Sequence, residues 1–482
     1  MFARRSWAVV LPLLFPGTGW AEERVAPRRW EEVEAAIREL EEAMTPESAS
    51  EDAEAQPEEE ASPPATSEST SPWPNVLRLE AMTWTLLPRK GAGSDQGFLQ
   101  VEPRVAWDKG ESFRLDLGAP VRLRMWGGGE GAGFVRKEDW DTLSDWGQVV
   151  RLFSVGGDAP DSVWAGELDG YSLLSGHLVR RYSNRANPDY HPAGVVGTGT
   201  LGPVYAEGFV SDLLGARLMG AEVALDVQHV LFGRPPVSGR YTLALSAVHD
   251  WGKAGGTSKP MTLAHLDGTA VVLRRWGQDK GLELHVLGGW GGRPGDGGAW
   301  GAVAGLGVEA VSPMLDVRAR LEGRLQRGGF RQGAFGPDYE LARFQMAGPA
   351  SVPLAEAAFP EGASAYGEVI LGWDAVLLGG LRRRHLFVSL GVETFTWGRV
   401  DADGRVEAHL LHQDLSLGLR GLAAGMGQAG ARYLVSGEAR WRFLGGRLFA
   451  VGQGGTLLFP TKEGTLRPGA FVGVGLGVDN AR

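Results

Sequence analysis

Apolar and polar side chains alternate with a period of two along much of the chain after residue 75. The clearest run is 317–326, where valine, alanine, leucine and glycine alternate with arginine, glutamate and glutamine. Only a β-strand places such a run on one apolar and one polar face, because its successive side chains point to opposite sides. The same alternation recurs in 113–117, 121–125, 222–228, 282–286, 414–420 and 438–443. We therefore predict an all-β fold.

Segments rich in glycine and aspartate separate these runs, and we expect them to be turns. Examples are 91–94, 291–298, 401–404 and 445–446. The turns leave about 16 to 20 candidate strands of roughly 9–13 residues, and a strand that crosses a bilayer needs about 9–11. The predicted fold is a single large antiparallel transmembrane β-barrel of about 16–18 strands over residues 76–482.

Tryptophan positions and the ionised polar face favour a barrel over a soluble β-sandwich, whose strands also alternate. The tryptophans near predicted strand ends fit the aromatic girdles of a membrane barrel; they are Trp84, Trp107, Trp126, Trp251, Trp276, Trp290, Trp300 and Trp397. The polar face mixes arginines with acids, and a barrel would enclose this face around its lumen. A secreted soluble β-protein is the weaker alternative.

The charge and glycine content divide the chain into two parts. The 482 residues carry a net charge of −10 and include 73 glycines and no cysteine. Residues 22–75 contain most of the excess acid, so the barrel region is close to neutral. The absence of cysteine excludes a disulfide framework and a thiolate metal site. The acidic balance argues against nucleic acid as a partner.

The first 21 residues have the pattern of a cleavable signal peptide. Arg4 and Arg5 precede an apolar stretch over 7–15, and Gly19 and Ala21 are small residues suited to a cleavage site. Within 22–45, the apolar residues follow a heptad spacing at Trp30, Val33, Ile37, Leu40 and Met44. This spacing predicts a short periplasmic amphipathic or coiled-coil helix.

The role of this helix has two interpretations. It either docks a periplasmic protein partner or oligomerises with another copy, or it is a transiently helical, solvated stretch, because two heptads are marginally stable alone. Residues 46–75 are rich in Pro, Ser, Ala and Glu and poor in large apolar side chains. We predict that they form a disordered acidic linker, which is either a tether or a plain spacer.

By its strand period, tryptophan positions and export signal, the region 76–482 resembles the bacterial outer-membrane β-barrel (porin-like) proteins. The resemblance implies a location in the cell outer membrane, with lipid around the barrel. Such barrels usually close with a strand that ends in an aromatic residue, whereas the last alternating run here is 470–478 and the chain ends at Arg482.

The polar faces supply candidate pore-lining residues, and one polar, aromatic loop supplies candidates for a constriction or a ligand contact. The pore-lining candidates are Arg78, Glu80, Arg122, Arg124, Glu222, Asp226, Glu283, Arg318, Arg320, Glu322, Arg324, Glu438, Arg440 and Arg442. The loop candidates are His177, Arg180, Arg181, Tyr182, Arg185, Asp189 and His191. The alternative is that the loop is an ordered segment that packs against the barrel mouth. A further segment, 136–152, is predicted to contain a short helix capped by Asp139 or Asp141.

The sequence contains no convincing catalytic motif. Ser175 and His177 are the nearest match to a barrel phospholipase pair, and the nine histidines show no metal-ligand spacing. We therefore predict no enzyme activity, no metal and no cofactor. The predicted function is porin-like passage of small polar solutes through a mixed-charge lumen. The alternative is a non-conducting structural barrel of a larger envelope-spanning assembly (for transport, adhesion or gliding motility), docked through its N-terminal segment.

Overall fold

The computed structural model describes most of the chain after residue 74. The described ranges are 75–88, 96–109, 112–127, 133–157, 159–215, 217–233, 239–252, 259–277, 280–347, 352–353, 359–376, 382–411, 414–461 and 463–479. The predicted signal peptide 1–21, the docking helix with Trp30, Val33, Ile37 and Leu40, and the linker up to residue 74 lie outside these ranges.

The described chain is dominated by β-strands. In chain order they are β1 (Asn75–Pro88), β2 (Gln96–Asp108), β3 (Phe113–Gly118), β4 (Val121–Trp126), β5 (Val150–Val155), β6 (Ser162–Gly166), β7 (Gly194–Leu201), β8 (Val204–Val210), β9 (Leu218–Asp226), β10 (Tyr241–Asp250), β11 (Met261–Trp276), β12 (Gly281–Arg293), β13 (Asp296–Val311), β14 (Leu315–Arg327), β15 (Met346–Ala347), β16 (Val352–Pro353), β17 (Gly362–Val376), β18 (Arg382–Phe395), β19 (Val400–Leu410), β20 (Leu415–Met426), β21 (Arg432–Phe443), β22 (Leu448–Pro460) and β23 (Leu466–Asp479).

The described helices are short. Two are α-helical, α1 (Val227–Phe232) and α2 (Tyr339–Ala342), and two are 3-10 helices, Lys137–Asp139 and Leu143–Val149. None of the helices in the described ranges is long and apolar enough to cross a membrane.

Antiparallel pairing joins the strands into a closed barrel of 20 strands. Successive strands of the barrel pair with each other, with β14 next to β17, and β1 pairs with both β2 and β23, which closes the ring. The strands β15 and β16 pair only with each other and form a separate two-stranded sheet. The strands β3 and β4 count as one position, because Ala119 and Pro120 interrupt a strand that pairs with β2 on both sides of the break. The predicted all-β barrel is confirmed, with two strands more than the upper end of the expected range.

The additional strands fit because several turns are shorter than the sequence pattern suggested. Only residues 202–203 separate β7 from β8, and only 294–295 separate β12 from β13. The expected turn at 291–298 is therefore mostly strand. The expected turn at 401–404 is wrong, because β19 runs through it, with Gly404 paired to Leu390 and Gly421.

The outer face of the barrel is apolar, and tryptophans lie near both ends of the strands. Exposed leucines and valines form the middle of this face, for example Leu245, Leu306, Leu321 and Val435. Of the tryptophans that we expected in the girdles, five are exposed: Trp107, Trp126, Trp251, Trp276 and Trp290. Trp84 is a correction. It is 3% exposed and packs on the inner face against Phe98 and Phe471.

We name the two ends of the barrel by the chain. The terminal end is the one at which β1 begins and β23 ends, and the distal end is opposite. Two long connections lead inward instead of forming surface turns: the first inward segment, 167–193, between β6 and β7, and the second inward segment, 328–345, which follows β14 at the distal end. The chain between β4 and β5, residues 133–149, forms the third irregular segment.

The strands that border the first inward segment are short. The strands β5 to β9, here called the short-strand arc, have 5–9 residues each. The strands β10 to β14 and β17 to β23, the long-strand arc, have 10–16 residues. A strand rises about 3.3 Å per residue, so five residues are too few to cross a hydrocarbon core of about 25–30 Å. The first inward segment and the third irregular segment are the connections next to these short strands.

Candidate functional site

The inner face of the barrel is strongly charged. It contains the candidate pore-lining residues of β1, β4, β9, β12, β14 and β21; most are buried, and Arg124, Arg318 and Arg442 are partly exposed. Asp226 occupies a structural position at the end of β9, where its carboxylate accepts hydrogen bonds from the backbone N–H groups of His229 and Gly239. Whether these residues line a conducting path stays a prediction.

Acids and arginines on the inner face pair with each other. Arg274 Nε lies 2.6 Å from a carboxylate oxygen of Glu283. Arg324 contacts Glu322 at 2.7 Å and Glu393 at 3.0 Å. The charges therefore neutralise each other locally, in line with the near-neutral barrel region of the sequence. Closely paired charges give a lumen that is polar but has little net field of either sign.

The first inward segment contains all seven loop candidates from the sequence. Its path is fixed by backbone hydrogen bonds between Tyr171 and Tyr182, and by a bridge between Val179 and Phe335 of the second inward segment. Gly176, with φ of 70°, adopts the left-handed conformation that glycine tolerates best, and the chain there turns back before His177. The two inward segments thus form one hydrogen-bonded unit inside the barrel.

The first inward segment is bonded to opposite sides of the wall. Tyr171 Oη donates a 2.7 Å hydrogen bond to Glu207 on β8. Asp169, two residues earlier, accepts from Arg420 on β20, at 3.0 Å for one of the two contacts. Strands β8 and β20 are ten positions apart in a ring of 20. The segment therefore spans the lumen from wall to wall.

Further ion pairs fix the middle of this segment. Arg180 donates to Glu368 on β17 at 2.7 Å, and Arg181 lies 2.7 Å from Asp403 on β19. Its neighbour Tyr182 is buried, and its hydroxyl donates to Glu340 of the second inward segment at 2.5 Å. Three consecutive loop candidates thus bind three different elements. This arrangement can restrict the passage of solutes.

The second inward segment is held by its own buried ion pairs. Arg432 on β21 donates to Asp338, at 3.0 Å for its Nε. Burial raises the pKa of Asp338, but the positive charges of Arg432 and Arg331 outweigh burial, and the pKa is lowered from its usual value. Arg343 Nη2 donates to Asp250 on β10 at 2.8 Å.

The third irregular segment, 133–149, binds the last two loop candidates. Arg136 donates to Asp189, and His191 Nε2 lies 3.6 Å from Asp139, a buried carboxylate that also pairs with Arg122. Burial lowers the pKa of His191, although the nearby carboxylate of Asp139 opposes the shift.

Two further observations concern Arg185 and the short helix that the sequence predicts in 136–152. Burial also lowers the pKa of Arg185, the remaining loop candidate, to about 10. The expected short helix in 136–152 is 3-10, and its cap is Thr142 paired with Asp145 rather than Asp139 or Asp141.

Sequence reasoning missed one cluster on the inner face. His177 of the first inward segment meets His265 and Asp267 of β11, and all three side chains are buried. The sequence could have indicated His265 and Asp267 together, because residues two apart on a strand share a face. The third is 88 residues away from His265. Only the inward path of the segment brings it there.

Ser175 and His177, the nearest match to a catalytic pair, have different hydrogen-bond partners in the described structure. Ser175 Oγ donates to Glu222, whereas His177 Nδ1 binds Asp267. The absence of enzyme activity stays a prediction.

These features define the class of protein as a closed β-barrel with an apolar outer face and a charged interior, which is the architecture of a transmembrane β-barrel. The resemblance to outer-membrane barrels is thus confirmed at the level of the fold. No protein-family model matches the chain, and no curated protein matches it.

Porins are among the solved structures that match the chain, at low identity and low TM-score. A BenF-like porin from Pseudomonas fluorescens Pf-5 has 10% identity and a TM-score of 0.33, with 84% of this chain and 98% of that chain covered. Pseudomonas aeruginosa OccK2 (OpdF) in complex with glucuronate has 10% identity and a TM-score of 0.32, with 84% and 96% covered. The outer membrane protein OpdK from the same organism has 8% identity and a TM-score of 0.33, with 84% and 97% covered.

Proposed function

We propose that this protein is an outer-membrane channel for small polar solutes, and that the first inward segment is its constriction. The observation that supports the proposal is a closed barrel with a charged inner face, crossed by a segment that is bonded to strands ten positions apart. The apolar outer face with tryptophans near both strand ends supports a location in lipid.

The charge pattern of the lumen determines which solutes we expect to pass. Arginines and acids alternate and are paired, so small polar solutes find hydrogen-bond donors and acceptors without a strong field of one sign. We therefore expect a weak preference between anions and cations. A conductance that strongly favours one sign would contradict this part of the proposal.

Planar-bilayer conductance of the full-length protein tests the proposal. Gly166 and Gly194 pair at the base of the first inward segment, so an Asn-Gly turn can replace 167–193 and join β6 directly to β7. We expect small unitary steps from the wild type and steps several-fold larger from this deletion variant. In the matched control, Asn-Gly replaces the turn 461–465 between the paired residues Pro460 and Leu466, and its conductance should equal that of the wild type.

The alternative function is a non-conducting structural barrel of an envelope assembly, and the number of ion pairs that bind the inward segments to the wall favours it. If neither the wild type nor the deletion variant conducts in the bilayer, the result would support the alternative. Co-purifying periplasmic proteins that are lost on deletion of 22–75 would strengthen it.

A further inference from the structure

The buried cluster of His177, His265 and Asp267 converges on one point of the inner face. His177 Nδ1 lies 2.5 Å and His265 Nδ1 lies 2.9 Å from the same oxygen, Asp267 Oδ1. One candidate ligand atom from each residue lies within 4.8 Å of the other two, and no member of the cluster is more than 4% exposed. We propose that this cluster binds a divalent transition-metal ion, with Zn²⁺ as the best match.

The donor set suits this ion. Two imidazole nitrogens and one carboxylate oxygen are ligands that Zn²⁺ commonly takes, at about 2.0–2.2 Å each. The three ligand atoms already face one another, so small side-chain movements bring them to these distances. A fourth position remains for a water molecule, as in Zn²⁺ sites with three protein ligands.

Two atoms of the cluster are buried without a hydrogen bond in the described structure. His265 Nδ1 faces Asp267 but does not make a hydrogen bond of acceptable geometry, and Asp267 Oδ2 also has no partner among the described residues. A buried polar atom without a partner is unfavourable, since it has lost its contact with water. Both atoms belong to side chains that a metal ion would bind.

A neighbouring side chain can accept the hydrogen bond that the second ring nitrogen of a metal-bound histidine donates. Gln332 Nε2 lies 3.2 Å from His265 Nε2, and Gln332 Oε1 is buried without a partner among the described residues. Turning this amide over places Oε1 as an acceptor for the N–H that a metal-bound His265 carries on Nε2.

His177 requires one rearrangement. Its Nε2 accepts from Arg320 at 2.5 Å when the proton is on Nδ1, and it also lies 3.6 Å from Glu322 Oε1. When Nδ1 binds the metal, the proton moves to Nε2 and Glu322 becomes its acceptor. Arg320 Nη2 then loses this acceptor and has to move away from the ring. Arg320 keeps its pairing with Glu322 and its 2.8 Å hydrogen bond to the carbonyl oxygen of Ser175.

Two glycines on the neighbouring strand β12 make room for the cluster. A Cβ atom at Gly291 would lie 2.2 Å from the ring of His265, and one at Gly289 would lie 2.4 Å from Asp267 Oδ1. Any larger residue at these positions would push the cluster out of place. The two glycines of β12 therefore provide the space that the three side chains occupy.

The location of the site gives the ion a structural consequence. His177 belongs to the first inward segment, Gln332 belongs to the second, and the other two ligands belong to β11. A bound ion would therefore fasten the first inward segment to the wall. The measurement of metal binding does not require a conducting channel, so its result is independent of the proposed channel function.

The test uses the full-length protein in detergent, stripped of metal with a chelator and titrated with Zn²⁺ against a chromophoric competitor. We expect one Zn²⁺ per chain to remain after gel filtration, and the midpoint of thermal unfolding to rise with Zn²⁺ concentration. Co²⁺ in place of Zn²⁺ should give the visible absorption of a tetrahedral nitrogen and oxygen site.

The variants His177→Gln, His265→Gln and Asp267→Asn should each lower the affinity for Zn²⁺ at least tenfold. The matched control is His285→Gln, which changes a buried inner-face histidine of β12 outside the cluster and should keep the wild-type affinity. Unshifted heat-modifiable gel mobility shows that each variant is folded.

Two results would overturn the proposal. One is a wild-type protein that retains no Zn²⁺ after gel filtration and gives no Co²⁺ spectrum. The other is wild-type affinity in folded His265→Gln and Asp267→Asn proteins. A protein that binds Zn²⁺ but does not conduct in a bilayer would contradict only the channel.

Discussion

The first inward segment is bound to the two sides of the barrel by different forces. Towards the short-strand arc it packs through buried apolar rings, with Tyr171 centred 5.0 Å and Tyr182 6.3 Å from Phe209 of β8. Towards the long-strand arc it is held by ion pairs, such as Asp169 with Arg420. The first side combines ring contacts with hydrogen bonds to Glu207 and Glu222, whereas the contacts of the second side are ion pairs.

The strand lengths differ in the same way. The short strands border the inward segments, whose apolar side chains are buried against one another. The long strands are long enough to cross a hydrocarbon core. We infer that the apolar contacts anchor the segment and that the ion pairs are the contacts that can be exchanged for water.

The largest expected effect tests the anchor. Phe209→Ala removes a buried ring from the apolar side and should lower the free energy of unfolding of the first inward segment by about 3–5 kcal/mol. Amide hydrogen exchange in 167–193, measured by mass spectrometry on the protein in detergent, reports this local stability.

The matched control is Phe209→Leu, which keeps most of the buried volume and should cost less than about 1.5 kcal/mol. If Phe209→Ala leaves exchange in 167–193 at the wild-type rate, the apolar side is not the anchor, and the comparison fails.

The ionic side should respond more weakly. Asp169→Asn removes the charge that pairs with Arg420, and the loss of a buried charged partner should lower the local free energy of unfolding by about 1–3 kcal/mol. The same hydrogen-exchange measurement checks it. In a bilayer, this variant should show more frequent current fluctuations than the wild type.

A double-mutant cycle assigns the effect to the ion pair. If Asp169 and Arg420 act together, then adding Arg420→Gln to Asp169→Asn should cost less than the sum of the two single changes. Additive costs would mean that the two residues act separately, and the ionic side would lose its role in the comparison.

The two sides also differ in how much of them the sequence could predict. The alternation in 317–326 is enough to predict strand β14, because alternation is a local property of the sequence. The same alternation also predicts the charged face of this strand. The contact of Asp169 with Arg420 joins residues 251 positions apart and depends on the path of the inward segment. The turn predicted at 401–404 failed for a related reason, because pairing with β18 and β20 overrides the local turn preference of Asp-Gly.

The smallest expected effect lies where the anchor meets the third irregular segment. His191 is partly buried beside Asp139, Arg122 and Arg185, and this burial is the main cause of its lowered pKa. Below the usual histidine pKa of about 6.5, the unfolded chain takes up a proton that the folded protein resists, so stability should fall as the pH drops towards the lowered pKa.

The midpoint of thermal unfolding between pH 7.5 and pH 5 measures this loss. The variant His191→Gln cannot take up the proton, so its midpoint should depend less on pH than that of the wild type. The control His249→Gln changes a histidine of β10 that contacts Thr262 outside this region, and it should keep the wild-type pH dependence. Equal pH dependence in wild type and His191→Gln would show that stability does not depend on pH through this residue.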